Sequence, residues 1–183
     1  MRSFAKPELS VEEYKGTYCA MEGDEEAISI IQPLFNSIGS ITYKIDRSKK
    51  SQYHAAGVFA SNYLVTLSQQ ALLCLKEAGV EHEIAVNVVT NLMKGTVSNL
   101  EINKYPERCL TGPIRRGDIS TIKNHMDSFS NNEQKELYSL LGKATLPLTT
   151  HTGNKKEALE CALSLERKSS LTNAATLSIF NSR

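Results

Sequence analysis

The sequence predicts a mainly α protein: a helical bundle around a long central helix, preceded by a β-α-β unit. Three observations carry this. Two short β-prone runs, 17–22 and 40–45, flank one amphipathic segment. The stretch 51–75 holds no Asp, Glu, Lys or Arg over 25 residues. After Asp46, apolar residues recur at helical spacing and not in alternation.

The first strand, 17–22 (TYCAME), follows Gly16. Gly23 and Asp24 then open a helix, with Asp24 as N-cap and Glu25 and Glu26 in the first turn, where negative charge suits the helix dipole. Ala27, Ile30, Ile31, Leu34, Phe35 and Ile38 form its apolar stripe. Pro33 is expected to kink this helix or delay its start. Gly39 ends it, and 40–45 (SITYKI) is the second strand. Two strands joined by one helix should be parallel and share a sheet. Parallel sheets are normally covered on both faces, and two strands alone are marginal. The unit therefore reads as the edge of a larger sheet, completed by an N-terminal domain or by a partner. The other reading is a small two-stranded sheet packed on helices.

Asp46 or Ser48 caps a long helix running to about Ala78, with Gly79 after it. Its centre is apolar nearly all round, so burial is expected. A helix over 81–100 follows, interrupted near Gly95, and then a loop over 103–113. Asp118 caps a shorter helix to 129. Asn131 or Asn132 caps the next, whose apolar side is Leu137, Leu140, Leu141, Ala144 and Leu148. Residues 154–168 form a weaker amphipathic helix, and 169–183 a polar tail. The expected organisation is 1–46 as the β-α-β piece, 47–150 as the helical domain, and 151–183 as a C-terminal helix and tail.

Composition narrows function. With 21 basic and 20 acidic residues the net charge is +1, without the basic excess of a general nucleic-acid binder. Cys19, Cys74, Cys109 and Cys161 form no CxxC pair, which argues against a zinc ribbon or a disulfide scaffold. The N-terminus lacks an apolar signal-peptide core, so a cytoplasmic location is the simplest expectation. Ser, Gln, His, Asn, Tyr and Thr interrupt 51–75 throughout, so no membrane span is expected. The histidines lack metal-ligand spacing, and neither a nucleophile elbow, a P-loop nor G-x-G-x-x-G occurs.

Two segments could carry chemistry. On the long helix, Lys50, His54, Ser61, Asn62 and Gln69 fall at spacings near whole helical turns. Polar groups on an apolar helix need partners or a wet cleft. His54 can exchange a proton near neutral pH, and Asn62 offers both a donor and an acceptor. The bland reading is a satisfied core histidine and an internal amide. Ala56, Gly57, Ala60 and Ser61 on the same helix suit close approach of a second helix, from this chain or from a twofold-related copy. The second segment, Leu110 to Asp118 (LTGPIRRGD), combines Thr111, Arg115 and Arg116 at a turn able to hold a carboxylate or phosphate. Asp118 competes for the helix start there, and a plain structural turn is the alternative.

Several runs together resemble a known family. They are Met21-Glu-Gly-Asp24, Tyr53-His-Ala-Ala-Gly-Val-Phe-Ala-Ser-Asn-Tyr-Leu-Val65, Gly95-Thr96 with Asn99-Leu100, and Leu110-Thr-Gly-Pro-Ile-Arg-Arg-Gly-Asp118. The family is a bacterial group of NAD(P)-dependent oxidoreductases with an N-terminal Rossmann-like domain and a C-terminal helical domain of unknown function. The resemblance covers about residues 1–148. Its members are similar in architecture to pyrroline-5-carboxylate reductase, ketopantoate reductase and the β-hydroxyacid dehydrogenases. It implies that the β-α-β unit is the remnant of a Rossmann-like parallel sheet. It implies NAD(P) for the full-length enzyme, with no cofactor expected for this chain alone, since the cofactor-binding half is missing. It further implies a homodimer through the long helix and a small carbonyl or imine substrate. His54 and Asn62 would be the catalytic residues. Lys50, Ser61, Thr111, Arg115 and Arg116 would contact substrate. The competing expectation is a non-enzymatic helical dimerisation or interaction module.

Overall fold

The computed structural model describes Val11 and the residues from Tyr14 to Leu165. The chain is mainly α, with a two-stranded parallel sheet ahead of the helices. It divides into two compact units, Met1–Thr90 and Asn91–Arg183.

In the first unit, β1 (Tyr18–Met21) pairs in parallel with β2 (Ile41–Lys44), in a register running from Tyr18 opposite Ile41 to Met21 opposite Lys44. Helix α1 (Glu25–Ser37) connects them. Asp24 sits extended at its N-cap position, but its side chain makes no capping bond. The favourable charge therefore comes from Glu25 and Glu26 in the first turn. Pro33 lies inside α1 without ending it. Gly39 (φ +91°) turns the chain into β2, its N–H reaching Asn36 O at 3.0 Å.

Alternation sends the residues of each strand to opposite faces. On one face, Thr42 meets α1: its hydroxyl accepts from Gln32 Nε2 at 3.0 Å and donates to Asn36 Oδ1 at 2.9 Å. On the other, Tyr18 and Tyr43 lie edge to face at 6.4 Å. Within α1 only Ile28 is buried. Ile30, Leu34 and Ile38, four residues apart, are 64%, 63% and 59% exposed.

The long helix is continuous but not uniform. Asp46 caps a 3-10 turn over Arg47–Lys49, accepting from the Ser48 N–H at 2.8 Å. Then come α2 (Lys50–Gly57), a π turn (Val58–Asn62) and α3 (Tyr63–Glu77). The expected burial is not found: no residue of α2, the π turn or α3 is buried. An apolar sequence asks for cover, but only neighbouring elements supply it. By length and composition alone, the run Arg47–Glu77 is also long and apolar enough to cross a membrane. Helix α4 (His82–Asn103) runs unbroken through Gly95, contrary to the expected interruption. One helical glycine costs only about 1 kcal/mol relative to alanine, which a 22-residue helix tolerates.

In the second unit, the segment expected to be a loop contains two short helices, α5 (Pro106–Cys109) and α6 (Gly112–Arg116), each with proline in its first turn, where the missing N–H costs nothing. Helix α7 (Ile119–Ser128) is capped by Asp118, and α8 (Asn132–Thr145) by Asn131, as the sequence indicates. A 3-10 turn (Leu146–Leu148) leads to α9 (Gly153–Ala162). The core is Ile122, Met126, Leu146, Leu159, Ala162 and Leu163. Helix α8 meets it with Gln134, Ser139 and Gly142, not with the expected leucine side; Leu140 is 67% exposed. The reason is close approach. A Cβ on Gly142 would come within 2.3 Å of Leu163 Cδ2. Ser139 also donates its hydroxyl to the Leu163 carbonyl. The polar tail expected at 169–183 and the end of the 154–168 helix lie outside the described residues.

Candidate functional site

The start of the long helix is tied to the sheet by two contacts. Glu22, just past β1, forms an ion pair with Lys50 through Oε1. Tyr53, three residues on, accepts a hydrogen bond from the Tyr43 hydroxyl at 3.0 Å, and the two rings sit edge to face at 6.3 Å. The hydrogen-bonded pairing with Tyr43, together with burial, pushes the Tyr53 phenol up to about 12, so Tyr53 keeps its proton at neutral pH. Ligands of parallel sheets bind beyond the carboxyl ends of the strands. Glu22 and Lys50 stand at that end of β1.

His54, next to Tyr53, is exposed, and its imidazole has no hydrogen-bond partner among the described residues. Asn62 is also exposed; its backbone carbonyl accepts from Thr66 Oγ1 at 3.4 Å. In a regular α-helix eight residues turn by about 800°, which would leave Asn62 about 80° away from His54. The π turn alters this. The Tyr63 N–H reaches back five residues to Val58 O. By ideal helix geometry such a turn absorbs about one residue of rotation, which would put Asn62 within about 20° of His54 and turn Ser61 out of line. The two side chains stand two turns apart, about 12 Å along the axis, so they line one wall without meeting at one atom. Ser61 is half-buried, and Gln69 lies in a separate groove of about 470 Å³ with Leu72, Leu73, Lys76 and Val80.

The other candidates belong to the second unit. Thr111 stands at the start of α6 in extended conformation and makes no capping bond. Arg115 and Arg116 are exposed at its last turn. Arg115 Nη1 donates to Thr150 Oγ1 at 3.3 Å. The His151 Nε2 lies 3.1 Å from Ile114 O, and Lys155 Nζ donates to Arg116 O at 3.4 Å. Asp118 is held at about pKa 2, first by the Thr121 hydroxyl, then by the Thr121 N–H, Ser120 and the charge of Arg116. Its carboxylate caps α7 through the Thr121 N–H at 3.1 Å. The sequence reading missed Glu22, Tyr43, His151 and Lys155. Each meets its partner only through chain reversal, which leaves no local signal in the sequence. Among the described residues no cluster of His, Cys, Asp or Glu could hold a metal.

A family profile described as a domain of unknown function (DUF2520) matches residues 17–145. No curated protein and no solved structure matches the chain.

Proposed function

We propose, from the premise that this chain belongs to the domain-of-unknown-function family DUF2520, that it is the helical, substrate-side part of an NAD(P)-dependent oxidoreductase. The substrate class is a small carbonyl or imine. The observation that carries the reading is the π turn in the long helix. It lines up the imidazole of His54 with the Asn62 amide on an exposed wall, and π turns recur at functional sites. The two-stranded sheet supports it too. Its α1 helix carries an outward apolar stripe, Ile30, Leu34 and Ile38, of the kind that packs on a neighbouring element of a larger α/β layer.

In this reading His54 exchanges a proton with the oxygen or nitrogen of the reacting double bond. Asn62 hydrogen-bonds a group two turns away along the substrate. Lys50 adds a polar contact in the first unit; Thr111, Arg115 and Arg116, in the second unit, are by themselves a candidate contact for a carboxylate. The nicotinamide would supply or accept hydride. This sequence contains no glycine-rich dinucleotide turn, so none of its residues is assigned to the cofactor. A second copy of the chain covers the long helix, where Phe59, Tyr63, Leu64 and Val65 are exposed and the Phe59 and Tyr63 rings already pair at 5.2 Å.

The test is His54→Ala in a family member that carries a glycine-rich dinucleotide turn. Loss of turnover by about 100-fold or more, with one limb of the pH profile gone, is expected. Unchanged turnover would remove His54 from the chemistry. The second reading, a non-enzymatic dimerisation module, is favoured by the uncovered helix alone. Light scattering on Val65→Glu addresses that surface: a dimer that becomes a monomer supports self-association. A wild-type monomer that sediments with lipid vesicles assigns the helix to a membrane instead.

A further inference from the structure

We propose that Arg115, Arg116 and Lys155 form a binding site for a phosphate-type dianion on the second unit. The proposal deepens the reading of Arg115 and Arg116 as substrate contacts. It rests on that reading only for calling the anion part of a substrate. Helix α6 ends at Arg116, and Gly117 (φ +70°) turns the chain directly into the cap of α7. The start of α9 passes over this corner. Three contacts bring three basic side chains to this corner, beside Arg116: Arg115 to Thr150, His151 to the Ile114 carbonyl, and Lys155 to the Arg116 backbone carbonyl.

Capping the end of a short helix accounts for His151 and Lys155. It does not account for two arginines on the same turn. Arg115, Arg116 and Lys155 form no ion pair among the described residues, the charge of Arg116 acting on Asp118 without one. The adjacent acid, Asp118, is already engaged. Its Oδ1 accepts from Ser120 and the Thr121 N–H, and its Oδ2 from the Thr121 hydroxyl. The N-terminus of α7 is therefore occupied, and any anion here is held by side chains. Gly117 makes room for the lysine to lie across the corner: a Cβ there would come within 2.0 Å of Lys155 Cε and 2.7 Å of its Nζ. Two guanidinium forks and one ammonium favour a dianion with several acceptor oxygens over a single carboxylate. The family match ends at residue 145, so Lys155 and His151 are contributed by sequence outside it.

The probe is inorganic phosphate, titrated into the 15N-labelled chain at constant ionic strength, with acetate as the comparison. Saturable shifts at Gly117, Arg115, Arg116 and Lys155 are expected, with phosphate binding at least about fivefold tighter than acetate. Lys155→Gln and the double change R115Q/R116Q should each weaken phosphate by about fivefold or more, while Lys155→Arg keeps it. Both arginines are exposed, so the double variant folds even if Lys155→Gln does not. Glycerol 3-phosphate run beside phosphate separates a phosphate ester from the free ion; tighter ester binding assigns an ester and equal binding the ion, and either supports the site. Shifts that fail to saturate, equal responses to acetate, or unchanged binding in R115Q/R116Q would overturn it. Turnover does not enter the readout, so this proposal and the catalytic one fail separately.

Discussion

In the second unit, Ile122, Leu159 and Leu163 are fully buried, and α7, α8 and α9 surround them. In the first unit, residues of equal apolarity are left outside: Ile30, Leu34 and Ile38 on α1, Phe59 and Val65 on the long helix. The first unit is the more hydrophobic reading on paper, with 25 residues free of Asp, Glu, Lys and Arg. It is nonetheless the one that fails to cover itself. The difference teaches that apolar content and core formation are separate quantities. The second unit closes because Gly142 and Ser139 let Leu163 approach α8 closely. Among the described residues of the first, α1 covers one face of a two-stranded sheet, but the outer stripe of α1 and the centre of the long helix have no layer laid over them.

The contrast can be broken most directly in the core. Leu159→Ala should destabilise the second unit by about 2–5 kcal/mol, since a fully buried leucine leaves both lost burial and a cavity. Urea unfolding followed by probes in the second unit reads this; a cost below about 1 kcal/mol would show that the cluster is not a closed core.

A smaller loss is expected from Asp118→Ala, which removes the α7 cap that holds the Arg116–Gly117 corner in place. Its pH dependence has a definite sign. The folded carboxyl titrates at about 2, below its ordinary value of about 3.9. Its stabilising contribution is therefore present above about pH 4 and fades as pH falls towards 2. The melting-temperature gap between wild type and Asp118→Ala should narrow across that window, and a gap that is constant with pH would count against the cap.

The smallest effect sharpens the other side. Leu34→Gln on the open stripe of α1 should change stability by no more than about 0.5 kcal/mol in this chain. The same substitution in an assembly that covers the stripe should cost several times more, and calorimetry on both would show whether α1 has a partner surface.

Much of this was legible in the sequence. Asp118 and Asn131 read as caps because short polar side chains before an apolar period have a local partner, the N–H groups of the next turn. The parallel pairing of β1 and β2 followed from one intervening helix. His54, Asn62, Arg115 and Arg116 could be chosen as candidates from residue type and spacing, but their geometry could not. Nothing local announces that Tyr63 bonds back to Val58, and without that turn His54 and Asn62 do not align. Likewise Lys155 lies 39 residues from Arg116 in the chain and reaches it only because α9 folds back.

The sequence by itself determined where α7 and α8 start, that the sheet is parallel, and which polar groups stand on the long helix. Those are set by interactions within a few residues, or by the length of one connection. Tertiary structure alone decided which apolar faces are covered: Gly142 and Ser139 became the core side of α8 in place of Leu140, and the long helix stayed uncovered. Burial depends on what a distant segment brings to a surface, and periodicity in one helix carries no information about its neighbour.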